Sequence, residues 1–158
     1  MSMQAKQFRE QVVRPALALV AMESPAAEAL LMGTAAQESG MGRHLKQVGG
    51  GPALGVFQME PATYRDIWEN FLNHQPATLQ RVRGWWPTLP LPERMITDLM
   101  LAAVMCRIHY RRVREPLPAA EDLPGLARYW KKHYNTLLGA GTEAEFIHNW
   151  HRYVEEKV

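Results

Sequence analysis

The sequence predicts a mainly α fold: a compact, single helical domain over residues 1–158, with at most a small β-hairpin or extended loop near 48–59. Three observations predict it. Apolar residues recur at three- and four-residue spacing through most of the chain. Proline, serine and threonine stand where such stretches begin. Glycines crowd into one place, Gly49, Gly50 and Gly51 before Pro52, where no helix can continue. At 158 residues one domain buries roughly 70% of its unfolded surface and needs no covalent staple.

Phe8, Val12 and Leu19 form one face of a first helix that Pro15 is expected to kink or divide. Ser24 is an N-cap with Pro25 at the first helical position. Ala27, Leu30, Leu31, Thr34, Ala35 and Glu38 follow at helical spacing, and Gly40 and Gly42 mark the exit. The apolar run Ala53 to Met59 reads as a short strand or extended loop. Pro61 opens another helix, with Ile67 and Phe71 on one side and Tyr64 and Trp68 on another. Residues 74 to 92 read as a proline-rich connection carrying Trp85 and Trp86, either as exposed stacking rings or as core plugs. A long helix is expected from about 93 to 114, with Met95, Leu99, Ala102, Cys106 and His109 or Tyr110 inward, ended by Pro116 and Pro118. A further helix runs through Leu126, Tyr129, Trp130 and His133. The last opens on a capping box, Thr142 with Glu145, and carries Phe146, Trp150, Tyr153 and Val154 as its stripe.

Composition excludes several classes. Hydrophobic residues are 47% and charged ones 22%, a globular balance. No apolar run reaches the ~20 residues of a membrane span. A net charge of +2 argues against a chain that coats nucleic acid, and no specific nucleic-acid module is present. The single cysteine, Cys106, rules out an internal disulfide and reads as a small buried hydrophobe. His44, His109 and His133 have no metal-ligand spacing, so neither a metal nor another cofactor is expected. Arg107, Arg111, Arg112 and Arg114 read as the solvated end of a helix or as a basic patch for an anionic polymer. The apolar stretch 16 to 22 lacks the character of a secretion signal, so synthesis in the cytoplasm is expected.

Glu38 is the residue that carries chemistry. It continues a buried stripe, and it sits at a helix C-terminus, where the dipole disfavours negative charge. Burial and dipole both raise a carboxyl pKa, and a carboxylic acid kept protonated near neutrality is a general acid. The structural alternative is a glutamate paired with Arg43.

Downstream, Glu38-Ser39-Gly40 is followed by Gly55-Val56-Phe57-Gln58-Met59-Glu60-Pro61-Ala62-Thr63, with Gln58 twenty residues after Glu38, and then by Tyr134-Asn135-Thr136. This resembles the soluble lytic transglycosylases, lysozyme-like relatives of goose-type lysozymes, in a form found in bacteriophage and prophage proteins. The resemblance covers 25 to 135 and is strongest over 34 to 63. It departs at the third motif, where the family's Ala-Gly does not follow Tyr-Asn directly.

The resemblance implies an α+β lysozyme-like fold and a substrate, the glycan strands of peptidoglycan. It implies Glu38 as the sole catalytic acid and base, with Ser39, Gly55, Phe57, Gln58, Tyr134 and Asn135 around the sugar. Glu38 would protonate the oxygen between N-acetylmuramic acid and N-acetylglucosamine, then take the proton of the C6 hydroxyl that closes on C1. Such a reaction needs no second carboxylate, and Glu60, Asp66 and Glu69 read as helix-start or solvated acids. The implied setting is a phage particle or phage-delivered wall enzyme, with other virion proteins as partners. Three rivals remain at this point: a virion structural protein that keeps the fold, a hydrolytic lysozyme and, more distantly, a DNA-binding helical domain.

Overall fold

A computed structural model describes residues 1–136 and 139–155; the domain expected over 1–158 is followed over those, and 137–138 and 156–158 lie outside them. The described chain is mainly helical. α1 (Ala5–Phe8) runs through a π turn (Arg9–Val13) into α2 (Arg14–Leu19). The helix is therefore not divided at Pro15. A proline ring would strike the carbonyl four residues back, and that carbonyl belongs to the widened turn, which makes room for it.

α3 (Pro25–Ser39) starts where expected: Ser24 Oγ accepts from the Ala27 amide at 3.0 Å. It ends at Gly40, whose left-handed φ of 59° lets the Met41 amide turn back to the Ala35 carbonyl. The segment that follows holds two isolated antiparallel bridges, Lys46 with Leu54 and Leu54 with Met59. This is the small extended element expected near 48–59. α4 (Pro61–Asn70) buries Tyr64, Ile67 and Trp68.

Two expectations need correction. The connection 74 to 92 contains a helix, α5 (Pro76–Trp85), in which Val82 alone is fully buried. An apolar stripe of one residue leaves almost no periodic signal. The long helix expected over 93 to 114 is two helices, α6 (Arg94–Thr97) and α7 (Leu99–Arg111). Asp98 breaks it. Its backbone leaves the helical region, and its carboxylate accepts from the Leu101 amide at 3.0 Å and from Trp86 Nε1 at 2.9 Å.

α7 is the central helix. Every residue from Leu101 to Ile108 is buried, so it is wrapped on all sides rather than amphipathic. Cys106 lies among them, fully buried, as expected. Arg107 is buried too, at 9% exposure, which corrects its reading as part of a solvated cluster. α8 (Leu123–Trp130) is capped by Asp122 and continues through a π turn (Lys131–Asn135) that carries Tyr134. α9 (Glu143–Tyr153) is capped by Thr142, whose Oγ1 accepts from the Glu145 amide at 3.1 Å. Phe146 and Val154 are buried beneath it.

One packing chain prepares the site. At Gly33 on α3 a Cβ would stand 2.3 Å from the Phe146 ring, so only glycine lets α9 approach. Phe146 lies against the Trp130 indole, with centroids 5.5 Å apart. Trp130, fully buried on α8, is thereby held at the last turn of α3, where Glu38 sits.

Candidate active site

A cleft of about 640 Å³ opens where the end of α3, the 44–59 loop, the start of α4 and the Tyr134 turn meet. Glu38, Gln58, Tyr134 and Asn135 line it. Residues 20 and 96 positions from Glu38 (58 − 38, 134 − 38) thus meet it in one groove, as the motifs require.

Glu38 is partly buried in the last turn of α3. Trp130 Nε1 donates to its Oε1 at 3.2 Å. Burial pushes the carboxyl up to about 7, against the opposing effect of that hydrogen bond. No cation contributes among the described residues, so the pairing with Arg43 does not form. The group is poised to give up and take back a proton near neutrality.

Gln58 is set by a tight turn. The Leu54 and Met59 backbones exchange two hydrogen bonds at 3.0 and 3.1 Å, and the Gln58 amide closes the turn onto the Gly55 carbonyl at 3.0 Å. Gln58 has φ of 49°, an unusual conformation for a side chain this size. Its Nε2 donates to the Gly55 carbonyl at 2.9 Å, and among the described residues nothing donates to its Oε1, which can accept from a ligand. Strain held at a cleft residue is a feature of functional sites.

Three expected sugar contacts do not line the cleft. Ser39 is fully buried. Its hydroxyl donates to the Val56 carbonyl at 2.6 Å and accepts from the Gly42 amide at 2.8 Å. Phe57 is buried against Phe8. Gly55, at φ 78°, faces the backbone of Met95, whose carbonyl oxygen would stand 2.4 Å from a Cβ there. Its smallness serves packing against α6, not approach to a sugar. Tyr134 lines the cleft, but its hydroxyl is occupied, donating to the Phe57 carbonyl at 2.5 Å. Burial pushes its phenol well above the ordinary value, so it is a neutral donor. Asn135 Oδ1 accepts from Lys131 Nζ at 2.6 Å, and the same ammonium reaches the Gly139 carbonyl at 2.9 Å.

The sequence missed several lining residues. Glu60 stands at the N-cap position of α4, the helix start expected of it, but its side chain makes no capping bond and is exposed in the cleft. Glu145 lines the opposite part, its Oε1 accepting from the Thr142 hydroxyl. His109 forms part of the wall, its ring edge against Tyr134 at 5.1 Å. Burial lowers it to about 4, with the Arg112 charge acting in the same direction, so the imidazole is neutral. Arg112 also holds Asp66 at 2.6 Å, and that carboxylate stays about half exposed, as expected of a solvated acid. Among the described residues no three His, Cys, Asp or Glu side chains cluster to hold a metal ion. Trp86 is a core plug, whereas Trp85 is 58% exposed and away from the cleft lining.

No family model, curated protein or solved structure matches the chain. The class defined by fold and site is a mainly helical domain with, among the described residues, one partly buried acid in a polar cleft.

Proposed function

We propose that this chain is a peptidoglycan-cleaving lytic transglycosylase with Glu38 as its general acid and base. The observation that carries the reading is Glu38 itself: a carboxyl pushed up to about 7, unpaired with any cation among the described residues, in a cleft it shares with Gln58, Tyr134 and Asn135. The glycan lies in the cleft with its scissile oxygen at Glu38. The acid protonates that oxygen as the C1 bond breaks. The resulting carboxylate accepts the C6 hydroxyl proton while that oxygen bonds to C1, giving a 1,6-anhydro end. Gln58 Oε1 and the Asn135 amide hold hydroxyl or acetamido groups. The enzyme reaches the wall by phage delivery, among other virion proteins.

Glu60 and Glu145 favour a second reading, since a hydrolytic lysozyme needs a further carboxylate to serve water or the sugar cation. Digestion of purified sacculi, with the Glu38→Gln variant beside the wild type, tests both. The transglycosylase releases muropeptides one water lighter than reducing ends. Reducing ends alone assign a lysozyme, and cleavage by the variant removes Glu38 from the mechanism.

A further inference from the structure

Six large apolar residues are exposed among those described, and three of them fall within seven positions: Trp85 at 58%, Leu89 at 58% and Leu91 at 74%. Scattered exposed apolar residues need no explanation, but a group on one strap does. The strap is held from beneath. Trp86 is buried, with its Nε1 on Asp98 at 2.9 Å. The Tyr64 hydroxyl holds the Pro90 carbonyl at 2.7 Å. Leu89 and Leu91 flank Pro90, and both side chains are exposed. The apolar groups are presented by a fixed backbone.

The charge around them is predominantly basic. From Asn70 to Pro92 the chain contains no Asp or Glu, while Arg81 and Arg83 are exposed on α5. Arg81 lies four residues before Trp85, one turn along the same helix face. The next acids are Glu93, exposed beside the exposed Arg94, and Asp98, which is bonded to Trp86 and paired with Arg94 at 3.4 Å. A tryptophan and two leucines projecting from a basic rim match an interface of acyl chains beneath anionic headgroups.

We propose that Trp85, Leu89 and Leu91, with Arg81 and Arg83, dock this protein on an anionic lipid surface. The indole and leucines enter the headgroup boundary, and the guanidinium groups meet lipid phosphates. The proposal does not rest on the glycan-cleaving reading, because the patch lies outside the cleft lining.

Co-sedimentation with vesicles tests it, using phosphatidylcholine alone and phosphatidylcholine mixed with phosphatidylglycerol. The wild-type chain and its Glu38→Gln variant bind the anionic vesicles equally, and the neutral ones at least tenfold more weakly. Arg81→Gln/Arg83→Gln weakens anionic binding roughly thirtyfold, the scale of two basic residues near an anionic surface. Trp85→Ser/Leu89→Ser/Leu91→Ser, checked for folding by circular dichroism, reduces binding to both vesicle types more than tenfold. If the triple variant does not fold, the Arg variant and a blue shift of tryptophan emission on vesicles decide instead. Absence of vesicle binding overturns the proposal, as does binding indifferent to both sets of changes. So does a patch-dependent dimer or patch-dependent binding to lipid-free sacculi in its place.

Discussion

The Tyr134 hydroxyl donates to the Phe57 carbonyl 77 residues away, and the Ser39 hydroxyl donates to the neighbouring Val56 carbonyl. Two side chains from distant motifs thus grip consecutive carbonyls of one turn, the turn that aims Gln58 into the cleft. Removing either hydroxyl strands a carbonyl in the interior, at about 1–3 kcal/mol. Tyr134→Phe is therefore expected to lower stability by that amount in denaturant titration. On the proposed function, glycan cleavage should also fall with loss of the turn's position, although the hydroxyl bonds Phe57 and not Glu38. A Tyr134→Phe variant of unchanged stability would show that the grip is not formed.

Gly55→Ala tests the same turn from its other side. The residue needs a positive φ, and the Met95 carbonyl occupies the place of a Cβ. Both costs fall together, so destabilisation of about 2–4 kcal/mol is expected. A shift in thermal midpoint too small for 1 kcal/mol would contradict this packing.

Trp130→Phe removes the one hydrogen bond that Glu38 receives from a side chain among those described. That bond opposes the effect of burial, so its loss raises the Glu38 pKa further. The alkaline limb of the pH–rate profile should move upward by a fraction of a unit to about one unit. The smaller ring also leaves a cavity beside Phe146, costing about 1–3 kcal/mol. A lower rate with an unmoved alkaline limb would assign Trp130 to packing alone.

How far the sequence revealed this site depended on the range of each signal. Glu38 was legible because a stripe, a proline start and a glycine stop are local, and Ser24 and Gly40 bracket α3 as their chemistry demands. α5 was not, since burying Val82 alone imposes no period. The break at Asp98 was masked by apolar residues on both sides, although Asp is a common N-cap; Trp86 supplies the second bond there. Ser39, Gly55 and Phe57 stand in motif positions yet hold the turn rather than face the cleft, a distinction that spacing cannot make. Trp130, Glu60 and Glu145 reach the site through tertiary packing of α8, α4 and α9, which no local pattern records.

The last prediction concerns stability against pH, where two site residues oppose each other. The folded chain keeps the Glu38 proton up to about pH 7, whereas an ordinary carboxyl releases it near 4.5. Between those values the folded state binds more protons, so Glu38 lowers stability as pH rises through the window. His109 works the other way. It is held neutral down to about pH 4 against an ordinary 6.5, so it lowers stability as pH falls from 6.5 towards 4. Glu38→Gln removes the first effect and leaves the second. The variant should match the wild type near pH 4 and become the more stable protein as pH rises, the gain levelling off above pH 7. The full shift would give roughly 3 kcal/mol; water reaching the cleft reduces the expected gain to about 1–2 kcal/mol. Denaturant titrations of both proteins at pH 4, 6 and 8 read it directly. A stability difference that does not change with pH would mean that Glu38 ionises as an ordinary surface carboxylate, and the general-acid role would fall with it.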